Sequence, residues 1–202
     1  DSSDTTQSDS AYHIGFLLLK QFTMISLASA VEPLRMANQL SGRELYTWSL
    51  ITETGEPVSA SDGITTIPNA SIDDELTLDT LIVVGGIDIA HNYTQQQLRW
   101  LRKLDRRGVQ LGGVCTGPYA LAEAGLLDGH ECSAHWECIA ALQESHPGVI
   151  CTNRLFSVDR NRITSSGGAV PMDMMLNMIC RKHGFALASA ISEMFICDRI
   201  RD

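Results

Sequence analysis

The amino-acid sequence predicts an α/β fold with a mainly parallel sheet. Short apolar runs that are typical of buried strands alternate along the chain with segments whose apolar residues recur at helical spacing. Three predicted strands end beside glycine-marked turns, at Gly85-Gly86, at Cys115 and at Gly167-Gly168. Because ligands bind outside the carboxyl ends of the strands in an open parallel sheet, we expect the functional site at these turns.

The strands are predicted from apolar runs that end in turn residues. Residues 13–19 form a near-continuous apolar run, as expected of a strand covered on both faces. Residues 64–67 are expected to be an extended edge piece, and residues 159–161 are expected to turn a hairpin over residues 155–164. The other predicted strands are residues 45–51, 80–84 and 109–114.

The helices are predicted from helical spacing and from end signals. Pro33 lies inside the first helical segment and is expected to kink it or to mark the start of its main part. The segment 95–107 is amphipathic, and Gly125 ends the helix that starts at Pro118. The predicted helices are residues 26–40, 95–107, 118–123, 135–145, 171–183 and 186–199.

Length and composition predict one domain behind a short tail. Residues 1–10 are polar and rich in Ser, Thr and Asp, so we expect a disordered tail. The chain has 202 residues, of which 44% are hydrophobic, and this is enough to bury one sizeable core. Residues 11–202 are therefore predicted to form a single domain.

Net charge and cysteine usage limit the partners and the compartment. The net charge of −9 argues against direct binding of a nucleic-acid backbone, and the basic run at 99–107 is spaced like the solvated face of a helix. No signal peptide is visible, and no apolar run approaches the roughly 18 residues of a membrane helix. The six cysteines lack paired close spacing, so we expect reduced thiols in the cytoplasm and no membrane partner.

The segment Leu111-Gly-Gly-Val-Cys-Thr-Gly-Pro-Tyr119 carries the clearest chemical signal. It places Cys115 at a strand-to-helix turn, where a helix N-terminus is expected to lower the thiol pKa and make Cys115 more reactive than Cys151, Cys180 or Cys197. A second turn returns the chain to His135, which could hold the thiol proton. These two residues are the candidate catalytic pair of a nucleophile elbow.

Three motifs carry a family resemblance. Gly113-Val-Cys-Thr-Gly117, Leu121-Ala-Glu-Ala-Gly-Leu-Leu-Asp-Gly129 and Ser133-Ala-His-Trp136 resemble the cysteine block of the ThiJ/PfpI superfamily, the class I glutamine-amidotransferase-like fold. Within it, the motifs look most like the N-terminal domain of AraC-family transcriptional regulators, with isonitrile hydratase as an enzymatic cousin. The resemblance implies a flavodoxin-like three-layer α/β/α sandwich.

The resemblance also implies roles for the glycine turns. In ThiJ/PfpI enzymes the positions of Gly85, Gly86 and Thr116 form an oxyanion hole. The glycine pair is equally explained by a tight turn where two backbones pass closely, and both explanations stay open.

The sequence departs from the enzymes of this superfamily at the acid beside the nucleophile. Alignment through residues 33–35 puts Ser26 at that position, and the nearest carboxylate, Glu32, lies six residues later, about 600° around a helix. Thr116 follows the cysteine where PfpI-like peptidases have a histidine, and no late His-x-Glu of class I amidotransferases is found. These departures argue against peptidase or amidotransferase activity.

Trp136 and a group of cysteines and histidines leave alternatives open. The indole is expected to plug the gap between helix and sheet, with a ligand-binding face for a cation as the alternative, since regulators of this group include sensors of arginine, carnitine and glycine betaine. His130, Cys132, His135 and Cys138 lack the paired spacing of zinc sites, so we expect no metal and no cofactor.

The combined interpretation is a ligand-sensing and dimerisation domain of an AraC-family regulator. The expected partners are a small amine or amino-acid-derived effector, a second copy in a homodimer, and operator DNA through a helix-turn-helix domain beyond Asp202. The alternative is a stand-alone ThiJ/PfpI-like enzyme, such as an isonitrile hydratase or glyoxalase, using Cys115 and His135. The predicted effector-binding residues are Ser26, Glu32, Gly85, Gly86, Cys115, Thr116, His135 and Trp136.

Overall fold

A computed structural model describes residues 10–196 of the chain. Nearly all of the predicted tail and residues 197–202, including Cys197, lie outside the described residues. The last predicted helix, 186–199, is too long, because the observed helix ends at Met194 and Ile196 has a left-handed φ of 53° that a helix cannot include. No helix in the described part is both long and apolar enough to cross a membrane.

The centre of the molecule is a seven-stranded sheet in the order β10-β11-β7-β6-β1-β2-β5. All neighbouring strands in it are parallel except β10 and β11, which form the predicted hairpin. Two further sheets contain two strands each, β3-β4 and β8-β9. The strands are β1 Tyr12–Leu18, β2 Tyr46–Thr52, β3 Val58–Ser59, β4 Thr65–Thr66, β5 Ala70–Ser71, β6 Thr80–Val84, β7 Gln110–Val114, β8 Glu131–Cys132, β9 Ile150–Cys151, β10 Phe156–Asp159 and β11 Arg162–Ser165.

Helices cover both faces of the sheet, so the predicted three-layer α/β/α sandwich is confirmed. They are α1 Met24–Ser41, α2 Gln95–Arg106, α3 Gly117–Glu123, α4 Trp136–Ser145, α5 Pro171–His183 and α6 Phe185–Met194, with a short 3-10 turn at Ile89–His91. Alternate residues of the strands enter separate cores. Leu17 and Val83 pack with α2, α3 and α4, whereas Phe16 and Ile82 pack with α1, α5 and α6.

Two local expectations differ from the structure. Residues 64–67 do not extend the main sheet, because β4 pairs antiparallel with β3 in a separate hairpin and β5 forms the sheet edge. Pro33 does not mark the start of the first helix, which begins nine residues earlier, at Met24. Fully buried side chains on either side of the proline, Ala30 and Leu34, pack into the core and offset the hydrogen bond that proline removes.

Candidate functional site

The site is built on the sharp turn between β7 and α3. Cys115 occupies this turn with a φ of 59°, a left-handed conformation that is uncommon for residues with a side chain. Its amide donates to the Ser166 carbonyl at 3.4 Å, and its carbonyl accepts a 2.8 Å bond from the His135 amide. These two hydrogen bonds hold the turn against the segment before α4 and the segment before α5. Only 5% of Cys115 is exposed.

Glycines around this turn allow backbones to approach closely. A Cβ on Gly86 would lie 1.8 Å from the Gln21 carbonyl oxygen, and one on Gly85 would lie 2.4 Å from the Gly117 amide nitrogen. The Gly85 amide donates to the Val114 carbonyl at 3.4 Å, while the Thr116 hydroxyl donates to the Gly86 carbonyl at 2.8 Å. These contacts support the close-approach explanation of the glycine pair, and the oxyanion role stays a prediction.

Hydroxyl groups surround the Cys115 thiol. The Thr23 hydroxyl oxygen lies 3.4 Å from Sγ, and the Ser26 hydroxyl, which donates to the Gly168 carbonyl at 3.3 Å, is close enough to the sulfur to lower the pKa of the thiol slightly. Ser26 thus lies beside the thiol, at the position where the resemblance implies an acid. Thr23 was not found from the sequence, because its partner is 92 residues away; its place directly before α1 was the available signal.

The predicted lowering of the Cys115 pKa is wrong. Burial raises the pKa of this thiol above its ordinary value, despite opposing hydrogen bonds from Thr23, Ser26 and the Thr116 amide. The helix that follows spans only seven residues, so its N-terminal dipole is weak against the cost of burying a thiolate. The structure therefore favours a neutral thiol at pH 7.

His135 approaches the thiol without bonding it in the described structure. It caps α4, where its Nδ1 accepts a 3.3 Å bond from the Glu137 amide. A Cβ on Gly167 would lie 3.3 Å from Cys115 Sγ and 3.5 Å from His135 Nε2, so both side chains border the same small gap. Among the hydrogen bonds of residues 10–196, none joins the thiol to the imidazole, and the catalytic pairing stays a prediction.

Trp136 is exposed, which overturns the expectation that its indole plugs the core. Its exposed fraction is 76%, because it begins α4, a helix anchored to the core through Cys138 and Leu142. The indole packs against the His135 ring, with centroids 5.6 Å apart and the ring planes tilted by 32°. Beside it runs an open groove of about 480 Å³, here called the Trp136 groove, whose walls include His135, Trp136, Ile139, Arg154, Leu155 and Gly167.

Glu32, Cys132 and Cys138 make contacts other than a hydrogen bond to the Cys115 thiol. The Glu32 carboxylate accepts 2.6 and 2.8 Å bonds from Arg35 on the same helix, and the described partners of Cys115 do not include it. Cys138 donates to the His135 carbonyl at 3.2 Å, and Cys132 is buried opposite Cys151 in the β8–β9 pair. Within residues 10–196 no three His, Cys, Asp or Glu side chains are grouped to hold a metal ion.

The site combines a buried neutral thiol with an open groove beside it. Among the described residues, hydroxyls and a backbone amide hydrogen-bond the thiol, while the negative charge of the Glu137 carboxylate raises the pKa of the thiol further without a hydrogen bond between them.

Comparison with known proteins shows which family the chain belongs to and which proteins it resembles. The DJ-1/PfpI family profile matches residues 13–181. The chain is 57% identical over 196 residues to the HTH-type transcriptional regulator GbdR of Pseudomonas aeruginosa, covering 97% of this chain and 53% of GbdR. It is 46% identical over 186 residues to the HTH-type transcriptional regulator CdhR of the same organism, covering 92% of this chain and 55% of CdhR. The chain thus spans about half the length of these curated relatives.

A solved structure agrees with the sequence relatives. The crystal structure of an AraC family transcriptional regulator from Pseudomonas putida superposes with a TM-score of 0.82 at 30% identity. The match covers 91% of this chain and 99% of that one.

Proposed function

Since this chain belongs to the DJ-1/PfpI family, we propose that it is the ligand-sensing and dimerisation domain of an AraC-family transcriptional regulator. Its effector is a small amine or amino-acid-derived metabolite that lies over Cys115 and extends into the Trp136 groove. Operator DNA is bound by a helix-turn-helix domain beyond Asp202, which agrees with the net charge of −9 on the present chain.

The observation that carries this proposal is the environment of Cys115. Burial and, to a smaller extent, the charge of the Glu137 carboxylate raise the pKa of the thiol, and the described side chains that hydrogen-bond it are hydroxyls. A group in this state contributes a surface for a ligand and little nucleophilicity at pH 7. The relatives that match over nearly the whole chain carry the names of transcriptional regulators, which supports the same interpretation.

The Trp136 groove offers partners for both ends of a zwitterion. The exposed indole face suits an ammonium group, and the Glu137 carboxylate, 3.8 Å from His135 Nδ1, adds negative charge near it. Arg154 lines the same groove and can pair with a carboxylate. A small amine that also carries a carboxylate therefore fits the groove at both ends.

Calorimetry with a matched pair of variants tests this function. Carnitine, glycine betaine, choline and arginine are titrated against the wild type, Trp136→Ala and Phe185→Ala. The two aromatic side chains are equally exposed, at 76%, so both truncations are expected to change the free energy of unfolding by less than about 0.5 kcal/mol.

The two variants are expected to separate in binding. At least one of the four compounds should bind the wild type and Phe185→Ala alike and bind Trp136→Ala at least about tenfold more weakly, because a cation–π contact of about 1–2 kcal/mol is lost. Saturable binding that is equal in all three proteins would contradict the proposed effector site.

A second candidate function rests on the left-handed backbone of Cys115. A residue held at a φ of 59° in a strand-to-helix turn is also the arrangement of an enzymatic nucleophile. A stand-alone enzyme acting on an isonitrile or a methylglyoxal-like aldehyde would use this residue with His135. Turnover of either compound that disappears in Cys115→Ala would replace the sensor proposal, because a binding domain does not need to stabilise a transition state.

A further inference from the structure

A second crevice lies at the same edge of the sheet, outside the Trp136 groove. It has a volume of about 370 Å³ and opens at the carboxyl ends of β1 and β2, next to the start of α2. Ligands of open parallel sheets bind outside these strand ends. We call it the β1–β2 crevice, and the effector proposed above does not occupy it.

Charges of opposite sign line this crevice without neutralising one another. Lys20, Glu53 and Glu56 all line it. None of the ion pairs among the described residues joins this ammonium group to either carboxylate within 4.0 Å. Opposite charges that share a crevice and stay apart leave a space for a ligand that carries both charges.

One of the carboxylates is held in place. Glu53 Oε2 accepts a 2.5 Å bond from the Thr94 hydroxyl, the residue that caps α2, so that the position of the carboxylate is fixed by a helix end. Thr94 completes its capping box with Gln97 independently of this bond. The second oxygen of Glu53 has no described protein donor and can accept from a ligand.

Part of the remaining lining is apolar. Val58 contributes aliphatic surface and Tyr93 a half-buried ring, and Leu18, which is 2% exposed, lies at the base of the crevice. Such a surface stabilises a short apolar chain by about 0.8 kcal/mol for each methylene group that it buries.

We propose that the β1–β2 crevice binds an α-amino acid with an unbranched apolar side chain. Lys20 binds the carboxylate, Glu53 and Glu56 bind the ammonium group, and the side chain lies against Leu18, Val58 and Tyr93. This inference does not depend on the proposed function, because no residue of the Trp136 groove takes part.

Calorimetry with three related probes tests the site. L-norleucine carries both charges, hexanoate lacks the ammonium group, and L-norleucinol lacks the carboxylate. Norleucine is expected to bind the 202-residue chain saturably, and each of the other two is expected to bind at least about tenfold more weakly. Absence of saturable heat with norleucine up to about 10 mM, or equal binding of all three probes, would overturn the proposal.

Variants identify the location of the binding. Lys20→Gln, Glu53→Gln and Glu56→Gln are each expected to weaken norleucine binding at least about fivefold, whereas Lys103→Gln, on the exposed face of α2, leaves it unchanged. Glu56→Gln disturbs no described side-chain bond, so it keeps the test valid if Glu53→Gln weakens the fold. Norleucine binding that survives all three changes, or that disappears in Trp136→Ala instead, would refute the crevice as the site.

Discussion

The two halves of the candidate site are built in opposite ways. Around Cys115, backbone lies against backbone, with Gly85, Gly86 and Gly117 each leaving no room for a Cβ. In the Trp136 groove, exposed side chains from α4 and the segment before β10 stand beside open space. Under the proposed function, the first half limits how far the effector enters, and the second half provides the side chains that determine which effector binds. Substitutions are therefore expected to act on folding in one half and on recognition in the other.

The largest expected effect is on folding, from Gly86→Ala. The added Cβ would meet the Gln21 carbonyl oxygen at 1.8 Å, and a backbone atom cannot move aside as the end of a side chain can. We expect a loss of at least about 3 kcal/mol in the free energy of unfolding, measured by chemical denaturation. Gly148→Ala is the control, because its Cβ would contact only the Asp128 side chain, at 3.0 Å or more. A loss of less than about 1 kcal/mol in Gly86→Ala would show that this turn is not tightly packed.

An intermediate effect is expected at Gly167, where the two halves meet. A Cβ there would lie 2.6 Å from His135 Cδ2 and would fill the gap between the imidazole and the Cys115 thiol. His135 is partly exposed and can turn aside, so Gly167→Ala is expected to cost only about 1–2 kcal/mol of stability while weakening effector binding at least about tenfold.

Gly168→Ala is the control that distinguishes a filled gap from backbone strain as the cause of weaker effector binding. Its φ of 63° makes alanine strained there, yet its Cβ would meet nothing within 4 Å. Gly168→Ala should therefore lose a similar free energy of unfolding to Gly167→Ala, but it should still bind the effector as the wild type does. Equal loss of binding in the two variants would mean that backbone strain, and not the filled gap, is responsible.

The smallest effect concerns the reactivity of the thiol. Because only 5% of Cys115 is exposed and burial raises the pKa of its thiol, iodoacetamide is expected to modify the more exposed Cys151 and Cys180 first at pH 7, although burial raises the pKa of Cys151 as well. Thr23→Ala removes a hydrogen bond that lowers this pKa, so it should slow the alkylation of Cys115 further, by about twofold to threefold, whereas Thr23→Ser should not. Mass spectrometry of timed samples measures each site, and first modification of Cys115 would restore the activated-thiol hypothesis.

The same raised pKa predicts a pH dependence of stability. The folded protein holds the thiol proton more tightly than the unfolded chain does. Its contribution to stability is therefore full below pH 9.0 and is lost as the pH rises through the folded-state pKa of Cys115.

Local signals predicted the architecture well. The bounds of β6 and α5 agree with the predicted strand at 80–84 and helix at 171–183, because each has a clear apolar pattern and an end signal such as Pro171 or Gly85. The short strands β3, β5, β8 and β9 were not predicted, since two residues carry no periodicity. Their positions depend on pairing with distant segments.

The candidate site was predicted only in part, for a related reason. The position of Cys115 in a strand-to-helix turn follows from glycines and an apolar run, which are local features. The protonation of its thiol depends on burial by residues from the β1–α1 loop and from the segment before α5. The exposure of Trp136 depends on how α4 lies against the sheet, which its own apolar residues do not specify.

The β1–α1 loop runs from the β1–β2 crevice to the Cys115 thiol. Lys20 lies on the β1–β2 crevice, and Thr23, three residues later, contacts the Cys115 thiol. The loop is held by two backbone hydrogen bonds, in which the Gln21 amide donates to the Ser59 carbonyl and the Thr23 amide donates to the Gly85 carbonyl. If both proposed ligands bind, a ligand that shifts this loop from its own side changes the affinity of the other site, and thermodynamic linkage makes the reverse effect equal in size. A domain with both proposed sites would then respond to the joint concentration of two solutes, as a coincidence detector does.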